Sequence, residues 1–181
     1  MILLTGATGF VGEHTLQQLL DRGYRVRAMY RTAGLRGGHG QLHNLQHPQI
    51  DWQQGDLNDI FRLEDLLEGV ETVFHTAAFI SYDPRFREQL FQTNIRGTAQ
   101  LVNACLHAGV KRLVYVSSIA ALGDAPEPGM LVDERASWKT DNSHSNYAIS
   151  KFMAENEVWR GMEEGLEVIV VNPSVILGPG K

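Results

Sequence analysis

Tyr147 and Lys151 stand four residues apart in Tyr147-Ala-Ile-Ser-Lys151, a step that puts both on one face of a helix, one turn apart. A free phenol titrates at about 10 and is a poor acid or base at neutral pH; an ammonium beside it favours the phenolate. The same spacing also describes an ordinary solvated helix pair. Ser117 and Ser118 follow the apolar run Leu113-Val-Tyr-Val116, at a strand end, where open α/β sheets place their chemistry. A hydroxyl there can donate to a carbonyl oxygen whose charge changes during hydride transfer, or it can cap a turn. Asn94, in Gln92-Thr-Asn-Ile-Arg-Gly-Thr98, interrupts a helical pattern. It can satisfy a distorted backbone, relay protons through water, or be a plain helix residue.

The residues that would hold a ligand against this set lie at the start of the chain. An apolar strand, Ile2–Thr5, runs into Gly6, Gly9 and Gly12, and a helical apolar pattern (Phe10, Val11, Leu16, Leu19, Leu20) begins there. A strand turning through glycines into a helix N-terminus offers free backbone N–H groups and the positive end of the helix dipole to a pyrophosphate. The spacing is G-x-x-G-x-x-G, so the commoner dinucleotide fingerprint is only approximated, and an ordinary glycine-rich turn is the competing reading.

Strands and helices alternate from this point. Strands are expected at Val26–Tyr30, Ile50–Gln53, Thr72–His75, Arg112–Val116 and Glu167–Val171. Helices are expected near 11–22, 59–67, 85–107 and 146–162, three of them closed by Gly23, Gly69 and Gly109. A glycine-rich loop through Gly34–Gly40 leads to a short helical stretch that Pro48 stops. The strand cores are continuously apolar, as a parallel sheet covered on both faces requires. The pattern predicts a doubly wound parallel sheet with ligands at the carboxyl ends of its strands.

Composition narrows the function classes. A net charge of −5 argues against nucleic acid or an anionic membrane as the main partner, since both want a basic footprint. No apolar run reaches the roughly eighteen residues of a membrane span. With its first strand at residue 2 and a single cysteine, Cys105, in an apolar setting, the chain reads as cytoplasmic, with a buried, unreactive thiol. His39, His43 and His47 recur every four residues, a step that suits zinc, but no carboxylate or cysteine accompanies them, so no metal site is expected. His75 reads as a packing residue.

Taken together, Thr5-Gly-Ala-Thr-Gly-Phe-Val-Gly12, Gly55-Asp-Leu57, His75-Thr-Ala-Ala78, Asn94, Val116-Ser-Ser118, Tyr147-x-x-x-Lys151 and Asn172-Pro-Ser174 resemble the extended short-chain dehydrogenase/reductase superfamily over the whole length. The resemblance implies an NAD(P)-binding Rossmann fold, α/β, over residues 1–181, with a C-terminal substrate lobe that begins near 174 and is truncated. It implies Tyr147 as general acid/base and Ser118 as the group polarising the substrate oxygen. Lys151 would hold the nicotinamide ribose and lower the tyrosine's pKa, and Asn94 would support a proton relay. Gly6, Thr8, Gly9, Phe10, Val11 and Gly12 would hold the cofactor's pyrophosphate. Asp56 and Leu57 would flank the adenine, Ala77 and Ala78 would line the path, and Pro173 and Ser174 would lie beside the nicotinamide. A homodimer through the helices near 85–107 and 146–162 is also implied.

The cofactor is read from the end of the second strand. NAD-binding domains place an acid there for the ribose 2′-hydroxyl. Here the stretch is Met29-Tyr-Arg31, with no acid before Asp51, and a guanidinium suits a 2′-phosphate. NADP is therefore expected, with NAD as the alternative; Arg36 is a second candidate for the phosphate. After Ser118 comes Ile-Ala-Ala-Leu-Gly123, without the acidic pair of the sugar-nucleotide dehydratases, and with Leu122 where epimerases carry tyrosine. The segment looks more like the dihydroflavonol-reductase-like branch. The expected activity is NADP-dependent reduction of a ketone or aldehyde on a small organic substrate. A nucleoside-diphosphate-sugar epimerase holding NAD is the alternative, and a non-catalytic nucleotide sensor the third reading. Ile80-Ser-Tyr-Asp83 and the loop from Gly123 to His144 are expected in the pocket wall.

Overall fold

All four residues of the first strand, β1 (Ile2–Thr5), are buried, and its side chains divide between two cores. Leu3 joins one core and Ile2 and Leu4 the other, as the two-residue period of a strand requires. The structure, a computed structural model, describes residues 1–31, 47–125, 127, 129–139 and 144–178. After β1 come α1 (Phe10–Asp21), β2 (Val26–Tyr30), β3 (Ile50–Gln54), α2 (Ile60–Leu67) and β4 (Thr72–His75). A 3-10 turn (Pro84–Phe86), α3 (Arg87–Leu90), a π-helical segment (Phe91–Arg96) and α4 (Gly97–His107) follow in one continuous rod. The chain then forms β5 (Arg112–Val116), a 3-10 turn (Ile119–Ala121), α5 (Asn146–Glu163) and β6 (Glu167–Val171).

The six strands are parallel in the order β3-β2-β1-β4-β5-β6, so the winding reverses between β1 and β4, where doubly wound sheets bind their ligands. Register carries Thr5 beside His75 and His75 beside Tyr115, a row of polar groups across the three central strands. One face is covered by α2, α4 and α5, whose Leu63, Leu66, Leu101, Cys105, Ala154 and Val158 pack with Leu3, Val73 and Leu113. Cys105 is fully buried there, and burial pushes its thiol up to about 12.

Over the other face α1 packs through Leu16, Leu19 and Leu20 on Ile2, Leu4, Val26 and Ala28. On this face the expectation that every strand is covered holds for β1 and β2 and not for the β4–β6 side among the described residues. Phe74, Val114 and Ile169 line an apolar cleft of about 1250 Å³ beside α1, and Ile169 and Val171 are each 44% exposed. Apolar runs report what a strand is built to bury, and among the described residues nothing packs fully over this part of the sheet. The helix expected near 85–107 also differs: its hydrogen-bond ladder changes to π geometry at Phe91–Arg96, around Asn94.

Candidate active site

At the carboxyl end of β1 the chain turns at Gly6, with φ +71°, a region that L side chains rarely adopt. A Cβ there would also stand 2.6 Å from the Ala77 amide nitrogen, so the turn lies directly against the segment after β4. A Cβ on Gly12 would stand 2.0 Å from the Gly6 carbonyl oxygen, so α1 can start this close to the turn only on glycine. The first helical bond runs from the Glu13 amide to the Gly9 carbonyl at 2.8 Å. The amides of Phe10, Val11 and Gly12 therefore precede the helical ladder, and Gly9 caps α1 with no side chain over them. A cradle that side chains would fill, with free donors at a helix start, fits a dinucleotide pyrophosphate.

Across the switch point, Ser145 caps α5 by accepting from the Ala148 amide at 3.1 Å, which sets Tyr147 in the first turn. Tyr147 is nearly buried, and its phenol lies beside the Ser118 hydroxyl, which lowers its pKa. Ser118 also accepts from the Ala120 amide at 3.1 Å, so capping the turn and reaching the phenol are the work of one hydroxyl. Burial holds the Tyr147 phenol above its ordinary value and outweighs the lowering from Ser118. The Tyr82 ring lies 5.7 Å from the Tyr147 ring, which puts the stretch 80–83 beside the phenol.

Lys151 is 1% exposed and its Nζ donates to the Tyr115 hydroxyl at 2.8 Å and to the Val116 carbonyl at 2.9 Å. Burial lowers its amine to about 7, against the raising effect of the Glu155 carboxylate. The expectation that Lys151 depresses the Tyr147 pKa is corrected here. The ammonium is held on β5, and the phenol's shift comes from burial, Ser118 and Tyr82.

Asn94 is buried and fully engaged. Its Oδ1 accepts from the Phe79 amide at 2.8 Å, and its Nδ2 donates to the Phe79 carbonyl at 2.9 Å and the Ser150 hydroxyl at 3.0 Å. Its side chain thus clamps the π segment to α5 and to the segment after β4. Leu57 packs in the core against Gly97, so its side chain does not flank a ligand, while Asp56 reaches a cleft of about 460 Å³. Arg31, Gln54, Gly55, Asp59 and Arg62 line that cleft with it. Thr8 is half-buried in the glycine turn, Ala77 is half-buried and Ala78 is exposed. The Pro173 carbonyl accepts from the Ile119 amide at 3.0 Å, tying the exposed Ser174 stretch to the Ser118 turn. His47 accepts from the Gln49 amide at 3.2 Å; Arg36, His39 and His43 lie outside the described residues.

Three groups escaped the sequence reading. Glu155 accepts from the Ser117 hydroxyl at 2.5 Å and from Asn172 Nδ2 at 2.9 Å, pinning the ends of β5 and β6 to α5. Its spacing was visible, since Tyr147, Lys151 and Glu155 run i, i+4, i+8. Arg62 joins Arg31 at the second cleft, with Nε donating to the Gln54 carbonyl at 2.7 Å. Tyr115 was legible only as one more apolar strand residue.

Residues 2–181 match the family model described as Epimerase, the NAD dependent epimerase/dehydratase family. A putative dihydroflavonol 4-reductase of Synechocystis sp. is 37% identical over 176 residues, covering 97% of this chain and 49% of the relative. Sterol demethylase protein B of Methylococcus capsulatus is 36% identical over 177 residues, covering 98% and 52%. A solved short-chain dehydrogenase/reductase superfamily protein of Agrobacterium tumefaciens, with bound NAD, aligns with a TM-score of 0.73 and 28% identity over 95% of this chain and 48% of that one. The chain spans about half the length of the curated relatives it matches. No helix among the described residues is long and apolar enough to cross a membrane. With its parallel sheet, glycine turn and Tyr147–Ser118 pair, the chain belongs to the NAD dependent epimerase/dehydratase family, of the extended short-chain dehydrogenase/reductase type.

Proposed function

We propose that this chain forms the cofactor-binding part of an NADP-dependent reductase that converts a ketone or aldehyde of a small organic substrate to its alcohol. The observation that carries the reading is the placement of the Tyr147 phenol beside Ser118 at the carboxyl edge of the sheet. Burial keeps this phenol protonated and makes it a weaker acid than a free one. Its part in carbonyl reduction is therefore to hold a proton at the substrate oxygen and release it as charge grows there.

A reduced nicotinamide bound here would supply the hydride. The protein's own groups then bind, orient and deliver a proton. The amides of Phe10, Val11 and Gly12 hold the pyrophosphate, with Gly6, Thr8 and Gly9 shaping the turn. Arg31 reaches the 2′-phosphate, and Asp56 borders the adenine side of the same cleft. Ala77, Ala78, Pro173 and Ser174 line the path to the nicotinamide. The Lys151 ammonium has three donors, two of them on Tyr115 and Val116, and offers the third to a ribose hydroxyl. Ser118 donates to the substrate oxygen and steadies the charge that grows on it, while Tyr147 Oη passes its proton to that oxygen. Asn94 acts by holding the π segment against α5.

The test is fluorescence titration of NADPH and NADH, followed by NADPH consumption over a panel of carbonyl compounds. Tyr147→Phe is expected to bind NADPH as the wild type does and to lose turnover. Arg31→Ala is expected to bring the NADPH and NADH affinities together. Product formed without net NADPH consumption points to the epimerase alternative. Undiminished NADPH consumption by Tyr147→Phe overturns the reading.

A further inference from the structure

We propose that Tyr115 is a positioning residue for Lys151, its hydroxyl fixing the buried ammonium from the strand side. The inference rests on the proposed reading of Lys151 as the ribose-binding group. Tyr115 is 1% exposed, and register on the parallel sheet sets it beside His75, which is itself beside Thr5. Lys151 Nζ donates to the Tyr115 hydroxyl at 2.8 Å. Thr98, whose nearness lowers the Tyr115 phenol's pKa, has its Oγ1 3.0 Å from His75 Nε2. His75 Nδ1 lies 2.7 Å from Thr5 Oγ1, and Thr5 is the residue before Gly6.

An ammonium can only donate, so the Tyr115 hydroxyl accepts from it. Thr98 Oγ1 and Thr5 Oγ1 flank the two ring nitrogens of His75, and the neutral imidazole donates to one and accepts from the other. His75 stays neutral because burial, and secondarily the Lys151 charge, lower it to about 3. Burial keeps the Tyr115 phenol protonated as well. Lys151, Tyr115, Thr98, His75 and Thr5 are five buried polar groups gathered across the central strands. Without the phenol the ammonium would keep the Val116 carbonyl as its one acceptor among these groups, and the charged form would lose ground. The other titratable groups around this pair are Glu155, which acts on both the ammonium and the phenol, Tyr147, which acts on the Tyr115 phenol, and His75 on β4, on which the ammonium acts.

The chain has four lysines, so the side chain of Lys151 can be followed by carbon-13 NMR of the lysine Cε in the cofactor-free protein. The wild-type amine is expected to titrate at about 7. Tyr115→Phe keeps the ring that packs 5.3 Å from His75 and removes only the hydroxyl. It is expected to move the Lys151 midpoint down by about one pH unit, a tenfold loss of proton affinity. Thr98→Val, acting through Tyr115, is expected to move it in the same direction by less. A Lys151 midpoint unchanged in both folded variants overturns the inference, because a role confined to packing would not move a titration. NADPH titration of the wild type tests the reading beneath it separately. Loss of that reading with the Lys151 midpoint still moved shows which of the two has failed.

Discussion

Lowering the pH from about 7.5 to about 5 is expected to weaken the fold by about 2 kcal/mol through His75 alone. The imidazole is fully buried, bonded on both nitrogens, and lowered to about 3 from its ordinary 6.5, first by burial and then by Lys151. Its folded value lies below its unfolded one. The unfolded chain therefore takes up a proton as the pH falls through 6.5, and the native protein does so only near 3. Stability from this group is complete above 6.5 and is lost as the pH falls toward 3. At about pH 5 the unfolded form is some one and a half pH units past its midpoint, and each unit is worth about 1.4 kcal/mol. Urea unfolding at the two pH values measures the loss, and His75→Leu isolates it. The variant starts less stable, having left Thr5 and Thr98 without their partner, but its stability should fall less steeply by about 2 kcal/mol. Parallel pH slopes in the two proteins, or a native His75 resonance titrating near 6.5, would refute the reasoning.

Other expectations follow from single contacts. Gly12→Ala places a Cβ 2.0 Å from the Gly6 carbonyl, so it should cost about 1–3 kcal/mol in urea unfolding and abolish NADPH binding in a titration. Glu155→Gln removes the charge that Ser117 and Asn172 share. It should cost on the order of 1–3 kcal/mol and lower the Lys151 midpoint, since the carboxylate favours the ammonium. Cys105 should ignore a thiol reagent in the native protein at mildly alkaline pH and react on unfolding, because burial keeps it protonated and covered. Labelling of the native protein at the rate of a free thiol would contradict its place in the core.

Element order was legible because apolar runs of four or five residues, punctuated by Gly23, Gly69 and Gly109, can only alternate strand with helix. Each of these glycines takes positive φ where its helix ends. The pairing of Tyr147 with Ser118 was reachable from strand-end position and helix spacing. Which neighbours Lys151 would choose was not, since Tyr115 lies 36 residues away and reads only as strand. Its place on the inner face with Leu113 and Ser117 follows from the two-residue period, but its hydroxyl partner follows only from the packing of α5 on β5. The π segment at Asn94 was equally hidden. An added residue in a helix leaves the apolar pattern on either side intact, and only the polar interruption hinted at it. Leu57 shows the opposite failure: a motif position read as ligand-facing proved to be core.

A crystal structure of this chain grown with NADP+ tests the central claim most directly. The account expects the pyrophosphate on the amides of Phe10, Val11 and Gly12, and the nicotinamide ring within reach of the Tyr147 phenol and Ser118. A dinucleotide bound elsewhere, or one seated on the glycine turn with its nicotinamide directed away from Tyr147, would contradict it.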